Sequence, residues 1–264
     1  MDFKNKTIWI TGASSGMGKA TAIALSNRGL KIIISDRDLK GLKETAQEIE
    51  NNGSKVRMLS LDMSDQEQIL QSAQQIISEG EVIHGLYQFA GISQRSLTVE
   101  TPIENDRKIM EVNFFGVITL AKAILPHMIK NGGGQMAVAS SLVGKFGFPY
   151  RSAYSASKHA LHGFFESILA ENYDKGIRIS MIMGGRIQTN ISKFALNKEG
   201  KEHGKMDDGQ ANGISPEKAA KQIIKGIRKE KYEIPVGGKE LNMLKIKRFL
   251  PGLAFKLARS IKPM

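Results

Sequence analysis

Cysteine is absent from this 264-residue chain, which excludes a disulfide framework and any thiolate metal site. Histidine is scarce: His84, His127, His159, His162 and His203 form no metal-ligand grouping, so no metal is expected. His159 and His162, three apart, read as helix-surface residues. No apolar run approaches ~18 residues, and the first strand begins within a few residues of Met1, which argues against a membrane span and a signal peptide. A cytoplasmic protein is expected. Aromatic residues make up 6% of the chain and are not interleaved with basic ones as stacking platforms, so nucleic acid is not an expected partner. Internal repeats, low-complexity tracts and Pro-rich linkers are also missing, and with 41% apolar residues one globular domain over 1–264 is predicted.

What is present is an alternation of strand-like and helix-like segments. Thr7 to Ile10, Lys31 to Asp36, Val56 to Leu61, His84 to Ala90, Gln135 to Ser140, Ile177 to Ile182 and Tyr232 to Val236 read as strands, with helical patterns between them. This predicts an α/β fold of about seven strands in a doubly wound parallel sheet of the Rossmann type, with helices on both faces.

The turn after the first strand, Thr11-Gly12-Ala13-Ser14-Ser15-Gly16-Met17-Gly18, leads into the helical pattern Ala20, Ile23, Ala24, Leu25. Glycines there permit unusual dihedrals and let phosphates approach bare amides at the positive end of a helix. The spacing has three residues between the first two glycines, where the usual dinucleotide pattern has one. The second strand ends at Asp36, 24 positions after Gly12. A carboxylate at this point suits ribose hydroxyls and repels a 2′-phosphate, which favours NAD over NADP. Arg37 leaves NADP open, since its guanidinium could accept that phosphate.

Tyr154-Ser155-Ala156-Ser157-Lys158 places a phenol and an ammonium one turn apart on a helix. A free phenol has a pKa near ~10 and is almost wholly protonated at neutrality. A fixed positive charge ~4 Å away is worth about 4 kcal/mol at an effective dielectric of ~20, or roughly three pKa units. Such a pair could exchange a proton with an alcohol. An isolated Tyr-x-x-x-Lys is ordinary helix surface, and its context decides the reading.

Taken together, the Thr11 to Gly18 loop, Asp62 after the third strand, Ala90-Gly91, Asn113 in Val112-Asn113-Phe114-Phe115-Gly116, Ser140-Ser141, and Tyr154 with Lys158 resemble the short-chain dehydrogenase/reductase family from Thr7 to about Thr189. The resemblance implies an NAD(P)-dependent alcohol/carbonyl oxidoreductase. Its catalytic set would be Asn113, Ser141 rather than Ser140, Tyr154 and Lys158. Tyr154 would be the acid and base, Ser141 a hydrogen-bond donor to the reacting oxygen, Lys158 the group that lowers the tyrosine pKa and holds the nicotinamide ribose, and Asn113 the anchor of a water leading to solvent. The cofactor would lie on Gly12, Ser14, Ser15, Gly16, Met17, Gly18, Asp36, Arg37, Asp62, Met63, Ala90, Gly91, Tyr154, Lys158, Gly185, Ile187 and Thr189. Residues 7–186 would form the dinucleotide-binding and catalytic core, 187–230 a lid and helix, and 231–264 the last strand and tail. A homodimer or homotetramer pairing helices near Glu104 to Lys130 and Tyr154 to Lys175 is the family's default. A scaffold or redox sensor that binds nucleotide without turnover, at a membrane surface, is the alternative.

Two motifs depart from the family pattern. Gln88-Phe89-Ala90-Gly91 stands where Asn-Asn-Ala-Gly is usual, which predicts altered packing beside the sheet. Gly184-Gly185 stands where Pro-Gly is usual, which predicts a looser loop over the nicotinamide. Asn190 to Met206 lacks periodicity and reads as a mobile lid, ended by Ser215 as N-cap and Pro216 at the first helical position. Phe146, Phe148, Tyr150, Ile191 and Phe194 are the expected substrate pocket; the Thr189-Asn190-Ile191-Ser192 run, the Lys205-Met206-Asp207-Asp208 turn and the Arg248-Phe249-Leu250-Pro251 tail resemble the branch of steroid- and retinol-type dehydrogenases, which implies a bulky apolar alcohol or ketone. The net charge of +12 is concentrated late in the chain, with 13 Lys/Arg against 4 Asp/Glu from Pro216 to Met264. Leu241 to Leu250, then Leu253, Phe255, Leu257 and Ile261, form a basic amphipathic segment. Two readings stay open for it: helices covering the pocket or a subunit contact, and peripheral contact with the inner face of a membrane.

Overall fold

The computed structural model describes residues 3–260, so Ile261 of the expected amphipathic tail lies outside the described residues. Seven strands, β1 Thr7–Thr11, β2 Lys31–Asp36, β3 Val56–Ser60, β4 Gly85–Gln88, β5 Gly134–Ser141, β6 Ile177–Gly184 and β7 Glu233–Val236, form one sheet in the order β3-β2-β1-β4-β5-β6-β7. Every pairing is parallel. A parallel sheet needs a crossover after each strand and must be covered on both faces.

The period-two alternation of the strands divides the core. Ile8, Ile10, Ile32, Ile34 and Ile182 face α1 Gly16–Leu25, α2 Leu39–Asn51 and α8 Pro216–Arg228. On the opposite face Trp9, Ile33, Leu86, Val138 and Met181 meet α3 Gln66–Ser78, α5 Gly116–Lys130 and α6 Ser152–Asn172. The single tryptophan, Trp9, is fully buried, and its indole N–H donates to Ser35 Oγ at 2.9 Å, so burial leaves no orphaned donor. Sheet order reverses between β1 and β4, and the crevice beyond their carboxyl ends is where such folds bind ligands.

Helix signals place the remaining elements. Asp38 and Asp65 cap α2 and α3 by accepting from first-turn amides, and Ser215 accepts from the Lys218 N–H at 3.3 Å with Pro216 opening α8. The segment from Asn190 to Met206 contains no helix and is pinned by short bridges such as Gln94 to Leu196. A short helix, α7 Asp208–Ala211, follows it, and α9 Asn242–Phe249 with α10 Pro251–Ser260 close the described chain.

Two expectations need correction. The helix α4 Ile103–Met110 runs through a π-helical turn at Glu111–Phe115 into α5, and this 28-residue helix contains an 18-residue window of mean hydropathy 1.5. It is long and apolar enough to cross a membrane, contrary to the expectation that no run approached that length, because the stretch 112–129 carries Lys122 as its only charged residue. Here Val117, Leu120, Ile124 and Met128 are buried against the sheet as core. His162 is also not a surface residue. It lies two turns beyond Tyr154 on the face of α6 that covers the sheet, is 6% exposed, and meets Ser140 Oγ at 3.0 Å. Burial pushes its pKa down to about 4, so the imidazole is neutral at pH 7.

Glycines in the two long helices should respond oppositely to alanine. A Cβ at Gly116 would overlap the Met63 carbonyl, whereas one at Gly163 meets open space. Gly116→Ala should cost about 1–3 kcal/mol through overpacking. Gly163→Ala should gain about 0.5–1 kcal/mol through reduced backbone entropy. Urea unfolding of both variants checks the pair.

Candidate active site

The glycine turn is built by close approach. A Cβ at Gly12 would overlap the Ala90 backbone, and one at Gly18 would overlap the Gly12 carbonyl, so β1, the loop after β4 and α1 converge only because side chains are absent. Gly12 and Gly16 have φ of 69° and 56°, the left-handed region glycine favours. Ser15, the N-cap of α1, makes no side-chain cap bond, so first-turn amides remain available to an anion. Asp36 turns toward this loop, with Oδ2 accepting from the Ser14 amide at 3.2 Å and the Ser14 hydroxyl at 2.8 Å. Arg37 is exposed beyond it. The Asp62 carboxyl is pushed up by burial but held below its ordinary value by bonds from the Ser64 amide and hydroxyl, at 2.8 and 2.7 Å, and by Arg37 and Lys108. These bare, uncapped amides and nearby carboxylates fit a dinucleotide pyrophosphate and ribose.

The π-helical turn carries Asn113 inward, fully buried. Its Oδ1 accepts from the Ile92 amide at 2.8 Å, while Nδ2 donates to the Ile92 carbonyl at 2.9 Å and to Ser157 Oγ at 3.1 Å. This side chain ties the loop after β4 to α6. A Cβ at Gly91 would stand 3.1 Å from Asn113 Oδ1 and 3.5 Å from Lys158 Nζ, so Gly91 keeps open the space beside both. Met63 is buried after β3, its carbonyl packed on Gly116.

Tyr154 and Lys158 are 8% and 3% exposed. Tyr154 lines the same cavity as Ser141, at the end of β5, and the Ser141 hydroxyl acts on its phenol. Ser141 Oγ also lies 3.3 Å from the Gly184 carbonyl and accepts from the Val143 amide at 3.4 Å. Ser140 turns instead toward the Lys158 carbonyl and His162. The Lys158 ammonium donates to the Ala139 carbonyl at 2.7 Å and lies 5.8 Å from the Tyr154 ring centroid. Burial pushes Lys158 down to about 8.

The expected net lowering of the tyrosine pKa is not found. Burial raises it, and what pulls it back is the Ser141 hydrogen bond and the positive charges of Arg151 and Arg95. The reason is position: the Lys158 amine is bound to Ala139 and lies toward the ring, whereas the guanidinium groups share the cavity with the hydroxyl.

Those arginines had no local signal. Arg95, from the loop after β4, donates from Nε and Nη2 to Asp207 at 3.0 and 2.6 Å, and Arg151, immediately before α6, donates to the same carboxylate at 2.8 Å. Arg95 and Asp207 are each 5% exposed. Burial pushes Arg151 down to about 10, and its guanidinium stands 5.1 Å from the Phe148 ring. Gln94 was missed as well. Its Oε1 accepts from the Ala153 amide at 3.0 Å, giving α6 the N-terminal acceptor that its own N-cap lacks.

A cavity of about 370 Å³ joins these parts, with Ser141 and Tyr154 beside Met17, Gly185, Ile187 and Thr189. Phe146, Phe148 and Ile191 line it; Tyr150 and Phe194 do not. Tyr150 sits in a left-handed turn with φ of 62°, and Phe194, in the lid, is 50% exposed. The Gly184-Gly185 loop is anchored rather than loose. The Gly185 amide donates to Val236 at 2.8 Å, and the Glu240 carboxylate accepts from the Arg186 amide at 2.8 Å in the space a side chain at Gly185 would fill. Phe89, half-buried, packs against the core on the α1 side, with its Cβ beside Gly18.

With this geometry in view, the comparisons agree. The family model for short chain dehydrogenase matches residues 6–200. The chain is 37% identical over 235 residues to dehydrogenase/reductase SDR family member 7B of Xenopus laevis, covering 87% of this chain and 73% of that protein. It is 34% identical over 255 residues to dehydrogenase/reductase SDR family protein 7-like of Drosophila melanogaster, covering 95% and 78%. A solved short-chain dehydrogenase from Streptomyces avermitilis superposes with a TM-score of 0.80 at 26% identity, covering 97% of this chain and 96% of that one.

Replacing Asp207 with Asn leaves the buried Arg95 and the partly buried Arg151 guanidinium groups without their counter-charge. Asp207→Asn should cost about 3–5 kcal/mol of stability, which a lowered Tm would report.

Proposed function

Since this chain belongs to the short-chain dehydrogenase family, we propose that it interconverts a primary or secondary alcohol and the corresponding carbonyl on a hydrophobic substrate, with Tyr154 as acid and base. The family is one of oxidoreductases that use NAD(P), and the bound cofactor supplies or accepts the hydride. The observation that carries the proposal is the single cavity shared by the Tyr154 and Ser141 hydroxyls and the Gly185 to Thr189 loop.

In the oxidative direction Tyr154, ionised, takes the hydroxyl proton; in the reductive direction Tyr154, neutral, gives a proton to the developing alkoxide. Ser141 donates a hydrogen bond to that oxygen, a contact that strengthens as negative charge develops. Arg151 and Arg95, partly offset by Asp207, leave a net positive charge near the phenol, which counters the burial that would otherwise hold it protonated. Lys158 would hold the nicotinamide ribose and Asn113 would anchor a water leading to solvent, both beside the open space at Gly91. Apolar Phe146, Phe148 and Ile191 favour an apolar substrate body, and the tail's likeness to steroid- and retinol-type dehydrogenases points the same way.

For the coenzyme, Asp36 beside the glycine loop favours NAD, with Arg37 the residue through which NADP could compete. The assembly we expect is a homodimer or homotetramer through α5 and α6, where Phe115 is 46% exposed at the head of α5. The setting we expect is cytoplasmic. An idle nucleotide-binding scaffold fits less well, because Asn113, Tyr154 and Lys158 are buried close together and Ser141, half-buried, shares the cavity with Tyr154.

Tyr154→Phe should retain coenzyme binding and lose hydride transfer by a factor of at least ~100, the size of a general acid-base contribution. Turnover at wild-type rate in that variant would exclude the mechanism. An absorbance screen at the reduced-nicotinamide band, across alcohols and ketones of graded size, should respond best to large apolar members with NAD. The pH profile of oxidation supplies a signed test: removal of the nearby positive charge in Arg151→Gln should move the rising limb to higher pH.

A further inference from the structure

The C-terminal arm of α9 and α10 contributes no reacting group above, yet it combines exposed apolar side chains with charge of one sign. Phe249, Leu250, Leu253 and Phe255 are 73%, 56%, 44% and 55% exposed, clustered at the junction of the two helices. Residues 241–264 hold six Lys/Arg and no Asp/Glu, and of the six only Lys262 lies outside the described residues. Cations and aromatics are interleaved in space: Lys247 Nζ stands 4.1 Å from the Phe255 ring centroid, and the Arg248 guanidinium 5.8 Å from that of Phe249. The inward residues Leu241, Met243 and Leu244 pack on the cluster of Leu142, Val143, Phe146 and Tyr154. Met243 and Glu240 line the cavity itself.

We propose that this arm docks on an anionic lipid bilayer, seating the mouth of the substrate cavity against the membrane so that an apolar substrate enters laterally from the lipid. The substrate half rests on the function proposed above; the docking half does not.

Charge and apolarity select this occupant. Exposed aromatic and leucine side chains enter the interfacial zone, while long basic side chains bury their stems and keep their heads among anionic headgroups. A second copy of the chain suits the surface poorly. In a two-fold contact the same patch meets itself, and each arm would bring its cations against the other's with no carboxylate in the arm to pair them. Docking would also bear on the cofactor loop, since Glu240, at the base of the arm, holds the Arg186 and Gly238 amides at 2.8 and 3.0 Å.

The test is flotation of the full chain with phosphatidylcholine vesicles, with and without phosphatidylserine. Flotation should require phosphatidylserine and fall with added salt. Lys245→Gln with Arg248→Gln should weaken partitioning on the order of tenfold or more, since each basic residue near such a surface is worth roughly fivefold. Phe249→Ser with Phe255→Ser should abolish flotation. All four positions are outside the catalytic machinery, so both double variants should keep wild-type turnover of a small water-soluble ketone and lose turnover of a long-chain ketone supplied in vesicles. Failure of the full chain to float, or flotation unchanged in both double variants, overturns the proposal. So does an assembly in vesicle-free solution that dissociates in the Phe249 and Phe255 variant, because the arm would then be a contact between copies. Tyr154→Phe should float like the wild type, which separates failure of docking from failure of the catalytic reading.

Discussion

Asp207 ties together three loops that leave the carboxyl edge of the sheet by separate routes. Its carboxylate receives Arg95 from beyond β4 and Arg151 from the start of α6, and its own amide donates to Ser192 in the lid at 3.2 Å. Without it the buried Arg95 and the partly buried Arg151 guanidinium groups would repel each other beside Tyr154, and the lid would lose one of its ties to the body. The triad, with the short bridges at Leu196, explains how a segment without a helix or a full strand can form one wall of a defined cavity. It also fixes Arg151, whose carbonyl accepts from the Ser155 amide at 2.8 Å as α6 begins, and so the starting point of the helix that carries both the phenol and the ammonium.

That arrangement alters the electrostatic account of the site. Four-residue spacing on a helix suggests that Lys158 alone acts on Tyr154, but spacing specifies neighbouring Cβ atoms, not where a long flexible chain ends. The ammonium is taken up by the Ala139 carbonyl. Burial then lowers the lysine and raises the tyrosine, so both groups are pushed toward their neutral forms and part of the compensating charge comes from the arginines. The Ser141 hydroxyl acts on the phenol in the same sense, though burial still prevails, and β5 and β6 run in register to their last residues, bringing Ser141 opposite Gly184.

Features encoded by local pattern were legible in the chain itself. Alternating strands, the glycine turn, the Ser215-Pro216 helix start and the Tyr154 to Lys158 spacing each depend on residues within a few positions of one another, where sterics and periodicity act directly. Strand limits agree with expectation to within two residues, for instance His84 to Ala90 against Gly85–Gln88. Features made by folding were not legible. Arg95 and Asp207 are 112 positions apart, Arg186 and Glu240 are 54 apart, and nothing near any of them announces its partner. His162 was misread for the opposite reason, since a polar residue on a helix ordinarily faces water, whereas α6 lies across the sheet and buries that face. The span 103–130 is not one apolar run in the sequence, because Asp106, Arg107, Lys108 and Glu111 crowd its first third and Lys122 interrupts the rest, and only the continuous helix joins its parts.

The missing Pro-Gly pair after β6 shows how a local departure is offset at a distance. Proline at that point would restrict a dihedral through its ring, a covalent device acting on one residue. Here the restriction comes from a carboxylate: Glu240 fills the volume over Gly185 and accepts from both the Arg186 and Gly238 amides. A glycine at 185 is then required by the close approach of Glu240, since a Cβ would meet that carboxylate. The consequence is a dependence that proline would not create. The loop beside the reacting groups is held by a residue at the root of the C-terminal arm, so whatever orders or displaces that arm acts on the loop as well.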